Sequence, residues 1–140
     1  MNVKRIAAAA AILATGLGTA VATAPAASAS VTTSTCPLNL ACLFYNSSDY
    51  GLGAQFQHWD TIHDYAGKYF SAGPYGSSGS GVEVKNNAAA VGNGSRSWAI
   101  TIWERSGSTP WGNHESITPT AFADLTVLKN DNAASTWTAP

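Results

Sequence analysis

The densest run of chemistry-bearing side chains is His58-Trp59-Asp60-Thr61-Ile62-His63-Asp64. Imidazoles and carboxylates are the raw material of zinc sites and of acid–base catalysis. The spacing argues against both uses. His58 and His63 are five positions apart, whereas two ligands on one helical turn sit four apart with a glutamate after the first. On a strand the two histidines fall on opposite faces. The expectation is a polar loop crossing the fold, with no metal site. No Gly-x-Ser-x-Gly elbow presents a nucleophile, and the serines cluster in turns. An enzyme is not expected, and a hydrolase using His58 or His63 ranks last among the readings.

Cys36 and Cys42 are the only cysteines. Two thiols without a second ligand pair do not make a zinc site. In an oxidising compartment such a pair bonds to itself, closing a ring worth about 2.4 kcal/mol in chain entropy.

The elements that must hold these groups read as short strands. Trp98, Ile100 and Ile102 alternate with Ala99, Thr101 and Trp103, and Leu43 and Tyr45 alternate with Cys42 and Phe44. Val82–Lys85 and Leu125–Leu128 are further branched, strand-like runs. Turn clusters lie between them at Asn46–Asp49, Gly92–Ser95, Ser106–Ser108 and Gly112-Asn113. Helix is confined to a turn or two at Thr61–Ala66 and Thr120–Asp124. Ser71–Gly81 is rich in glycine and serine and reads as a mobile surface loop. The fold class is therefore all-β, a sandwich or barrel.

The chain opens with Lys4 and Arg5, an apolar alanine-rich run to about Ala24, and small residues at Ala27 and Ala29. That order is a secretory signal peptide over residues 1–29, cut before Ser30. Its glycines and threonines make the run too weakly apolar for a stable membrane span. Residues 30–35 read as a flexible arm, and 36–140 as one domain. Of the 140 residues, 11% are charged; beyond the leader, five basic residues face eight acidic ones. A net charge near −3 gives no footprint for nucleic acid. Export, no membrane partner after cleavage and a monomeric state are expected.

An internal repeat organises the domain. Ala41–Tyr45 followed by Tyr50-Gly51 parallels Ala99–Trp103 followed by Trp111-Gly112. Val84-Lys85-Asn86-Asn87-Ala88-Ala89 parallels Leu128-Lys129-Asn130-Asp131-Asn132-Ala133-Ala134. Two similar motifs, about 36–92 and 95–137, should pack about a pseudo-twofold axis, with positive φ or close ring cover at Gly51 and Gly112.

Cys36-Pro37, Cys42-Leu43-Phe44-Tyr45, Tyr50-Gly51 and the run from Lys85 to Asn93 resemble a family of secreted peptidase inhibitors. It is typified by a streptomycete metalloproteinase inhibitor and sits among the βγ-crystallin-like proteins of actinobacteria. The resemblance covers about residues 36–136. It implies a Greek-key β-sandwich of two motifs, and an extracellular protease, a metalloendopeptidase, as partner. The chain departs from the inhibitor type in lacking a second disulfide. The resemblance also implies calcium sites built from paired Asn/Asp residues followed by hydroxyls. Asp131-Asn132-Ala133-Ala134-Ser135-Thr136 is close to that arrangement, so Asp131, Asn132 and Ser135 are the candidates for weak calcium binding. Asn86-Asn87-Ala88-Ala89-Ala90-Val91 has lost both hydroxyls.

An inhibitor needs a rigid, presented segment. Tyr65–Gly81 is too rich in glycine and serine. Arg105-Ser106-Gly107-Ser108-Thr109-Pro110-Trp111 is the better candidate, lying between a strand and an aromatic-Gly pair with Pro110 restricting it. The rival function is a non-inhibitory crystallin-like protein binding calcium or cell-wall glycan. Trp59, Trp111 and Trp137 are the candidates for a sugar platform or partner interface. The plainer expectation is that most of the five tryptophans cover the core.

Overall fold

The computed structural model describes residues 36–139. The expected leader at 1–29 and arm at 30–35 lie outside the described residues. Seven strands form: β1 Ala41–Phe44, β2 Gln55–His58, β3 Ala90–Asn93, β4 Ala99–Arg105, β5 Trp111–Ile117, β6 Phe122–Asp124 and β7 Ala134–Thr138. One antiparallel sheet has the order β2-β1-β3-β6 and the other β5-β4-β7. The only helix among the described residues is a single 3-10 turn at Ser48–Tyr50. The all-β expectation holds.

The topology exchanges segments between the halves. β6 belongs to the second half of the chain yet pairs with β3, as Val91 with Ala123. The first half returns the exchange in shorter form. Ile62 and Ser135 trade both backbone hydrogen bonds, at 3.0 and 2.8 Å, and Tyr65 N–H donates to the Ala133 carbonyl at 2.8 Å. Each sheet therefore ends on a piece of the other motif. This crossing is the Greek-key arrangement, and neither half can close its sheet alone.

Neither stretch read as helical turns, Thr61–Ala66 or Thr120–Asp124, is helical: Ile62 in the first and Phe122–Asp124 in the second pair with strands. Each meets an otherwise unpaired strand edge, and a ladder that satisfies buried backbone groups outweighs weak local preference. Conversely, Val82–Lys85 and Leu125–Leu128 are bent, irregular backbone rather than strands, apart from a bridge between Glu83 and Tyr69. Their apolar residues serve packing, with Val84 and Leu128 fully buried.

The core follows the alternation. Ala41, Leu43, Val91, Ile100, Ile102 and Leu128 meet between the sheets, with Tyr65 and Phe70 beside them. A second cluster forms around Phe44, Leu52 and the Cys36–Cys42 disulfide, whose Cα atoms are 5.6 Å apart. Each large apolar side chain so buried contributes roughly 1.5–3 kcal/mol.

The Ser71–Gly81 segment is ordered by specific contacts, against the expectation of a mobile loop. Gly73 and Gly76 exchange backbone bonds, Gly81 N–H donates to Phe70, and Ala54 N–H donates to Ser78. Gly79 has φ +85°, and a side chain there would run into the Tyr45 ring. Its glycines allow close approach of backbone to aromatic rings, which composition alone reads as flexibility.

Candidate functional site

The His58–Asp64 cluster does not assemble. His58 ends β2 and points inward, whereas Asp60, His63 and Asp64 are exposed. His58 Nδ1 lies 2.8 Å from the Asp60 carbonyl oxygen, and Nε2 lies 3.3 Å from the Tyr65 hydroxyl and 3.5 Å from Ser135 Oγ. Burial lowers the His58 pKa, opposed in part by the Asp60 carbonyl and carboxylate. Burial raises that of Tyr65, opposed in part by Ser135. Ser135 beside an imidazole has the makings of a nucleophile and base, yet its side chain is fully buried. No substrate reaches it. The trio is an internal polar network joining the first motif to β7. Among the described residues, no three His, Cys, Asp or Glu side chains come together as a metal site.

The expected calcium residues are also pulled apart. Asp131 is exposed, while Asn132 and Ser135 are fully buried. Asn132 Oδ1 accepts from Ala88 N–H at 2.8 Å, and Asn132 Nδ2 donates to the Val84 carbonyl at 3.0 Å. These bonds tie the two motifs together and leave the amide oxygen engaged within the protein.

The Arg105–Trp111 segment is the turn of the β4–β5 hairpin, with a bulge where Arg105 pairs with Trp111. Contacts from other elements pin it. Gly107 N–H donates to the His63 carbonyl at 2.9 Å. Lys85 donates from Nζ to Ser106 Oγ at 3.1 Å while pairing with Asp64 at 2.8 Å. That ammonium holds the Asp64 carboxyl below its usual range. On the hairpin itself, Glu104 pairs with Arg105 at 2.7 Å and accepts from Asn113 N–H. Pro110 is buried under the turn, while Arg105, Gly107, Ser108, Thr109 and Trp111 face solvent. Gly112 has φ +93° and Gly51 φ +80°, as their places in the repeat require.

The other motif repeats the device. Lys129 donates from Nζ to Ser47 Oγ at 3.4 Å and lies over the Tyr50 ring. Each motif thus sends one lysine to a serine in the other's hairpin. The sequence placed Lys85 and Lys129 in register, and only the crossing shows what they reach.

The tryptophans depart most from expectation. Trp59, Trp98 and Trp111 are 70%, 48% and 62% exposed. Trp103 is half-buried against His114 and donates from Nε1 to Thr136 Oγ1 at 2.9 Å. Trp137 is half-buried at the edge of the main core. The core is filled by smaller aliphatic residues and by Tyr65 and Phe70. Trp98 just precedes β4, so the alternation assigned to it begins only at Ala99.

This architecture has a solved counterpart, in a study of the evolution of the eye lens βγ-crystallin domain fold. The match has a TM-score of 0.55 and 10% identity, covering 74% of this chain and 89% of the other. The fold is βγ-crystallin-like. No protein-family model matches the chain, and no curated protein matches it in sequence. At that identity the likeness carries architecture alone. A crystallin-like scaffold here presents two cross-braced hairpins, and the second of them contains the candidate loop.

Proposed function

We propose that this chain is an exported, protease-inhibitor-like binding protein. It acts by occluding an extracellular endopeptidase with the Arg105–Trp111 hairpin rather than by chemistry. The resemblance makes a metalloendopeptidase the partner of choice. The observation that carries the reading is the bracing of the hairpin from outside itself, by His63 through Gly107 and by Lys85 through Ser106. A loop held in one shape has less ordering entropy to lose on entering a cleft, and it resists the distortion that cleavage needs. The exposed Trp111 beside the turn adds a large rigid contact surface of the kind that anchors interfaces. The buried oxygens of Asn132 and Ser135 make calcium binding the weaker alternative.

The test is a titration of purified residues 30–140 against a thermolysin-like and a subtilisin-like enzyme. The expected result is stoichiometric loss of activity in the metalloenzyme. Unchanged activity of both at molar excess contradicts the reading.

A further inference from the structure

Three indoles from distant parts of the chain border one cleft of about 460 Å³. Trp59 comes from the corner after β2, Trp98 from the entry to β4 and Trp137 from β7, with Asp60, Thr61 and Ser95 among the polar residues of the wall. That volume lies within the range of small-ligand sites, ~300–1,000 Å³, and aromatic walls with a few polar groups are their usual make-up. Trp59 remains largely in water and Trp98 about half so, although the domain has an interior that takes aromatic residues such as Tyr65 and Phe70. Among the described residues, Trp137 Nε1 is also buried without a hydrogen-bond partner. A buried N–H without a partner is uncommon in folded proteins and costly.

The wall has chemistry for both sides of a sugar. A pyranose ring offers an apolar C–H face and a rim of hydroxyls. Flat indole surfaces suit the face. The Asp60 carboxylate accepts from hydroxyls, and Thr61 can exchange hydrogen bonds with them. Ser95 Oγ already accepts from the backbone N–H groups of Ser97 and Trp98, which leaves its own hydrogen to donate. Quaternary ammonium groups also bind among aromatic rings. An aromatic box for one such headgroup is smaller than this cleft, which has room for a longer, hydroxylated ligand.

We propose that the Trp59–Trp98–Trp137 cleft binds a chain of pyranose sugars. The proposal stands on residues outside the hairpin and does not depend on protease binding. It is tested by titrating residues 30–140 with soluble oligomers of N-acetylglucosamine, of β-1,4-linked glucose and of xylose, with tetramethylammonium chloride as the competing chemistry. Tryptophan fluorescence and calorimetry are the readouts. Saturable binding of an oligosaccharide is expected, weakened about tenfold or more in Trp59→Ala and in Trp98→Ala. Tyr69→Ala, an exposed aromatic outside the cleft, should bind as the parent does. The two cleft rings are exposed, so their removal leaves the fold intact, which thermal unfolding verifies. The proposal is overturned if none of the sugars saturates, if binding survives both cleft substitutions in folded protein, or if only tetramethylammonium binds.

Discussion

Asn86 and Asn130 are one position seen twice: both have φ +59°, and each donates its backbone N–H into the opposite motif. Asn86 bonds to the Asn132 carbonyl at 2.7 Å and Asn130 to the Ala88 carbonyl at 2.9 Å. Asparagine tolerates this left-handed conformation better than most residues. The pair marks the pseudo-twofold axis, and around it the side chain of Asn132 adds two bonds that Ala88, its counterpart, cannot make.

Asn132→Ala should therefore cost about 1–3 kcal/mol, because it strands the Ala88 N–H in a dry interior and leaves the Val84 carbonyl with only its bond from Asn87 N–H. Asp131→Ala, next to it but exposed, should stay within about 0.5 kcal/mol of the parent. Urea unfolding with unchanged slope and a shifted midpoint is the measurement. Equal effects would contradict this account of the axis.

The depressed His58 pKa sets the sign of a pH effect. The unfolded chain takes the proton first, near its ordinary pKa of about 6.5. Stability should be complete above that pH and fall as pH drops towards the lowered folded value, by at most about 1.4 kcal/mol per unit. Unfolding free energies from pH 7.5 down to 5 should show this slope, and His58→Gln should flatten it. A parent whose stability rises on acidification over that range would refute it.

The glycine-serine segment offers a paired test. Gly79→Ala combines positive φ with overlap on the Tyr45 ring, so a loss of about 2 kcal/mol or more is expected. Gly81→Ala, at φ +82° with open space around it, should lose only about 1 kcal/mol. If the segment were mobile, both changes would be close to neutral in thermal unfolding.

These cases also show what was legible in the sequence. Strand alternation around Leu43 and Ile100, the Cys36–Cys42 bond and the repeat were readable because they are local or periodic. The pairing of β6 with β3 and the Ile62–Ser135 bridge were not. They join segments thirty or more residues apart through backbone groups that any residue carries, and no side-chain signal marks them. The candidate hairpin was visible through Pro110 and its flanking strand, yet its braces from His63 and Lys85 arise only in three dimensions. The tryptophans misled because residue type reports what a ring prefers, while exposure depends on which sites smaller side chains already fill.

Lys85→Ala removes one brace from the hairpin. The surface pair with Asp64 is worth at most about 1 kcal/mol, so stability should hardly change. Inhibition should weaken by about three- to tenfold as the loop regains freedom that binding must then remove. Inhibition constants measured beside melting temperatures separate the two effects. A large fall in melting temperature with unchanged inhibition would reverse the assignment.

The most direct measurement places a photo-activated cross-linker at Ser108, the exposed tip of the hairpin, and asks where it lands on a thermolysin-like endopeptidase. Occlusion of the cleft predicts cross-links to residues lining the active site, abolished when a small active-site-directed inhibitor is bound beforehand. Cross-links that persist undiminished on the blocked enzyme, or none at concentrations where a control partner is captured, would contradict the claim that this hairpin enters a protease cleft.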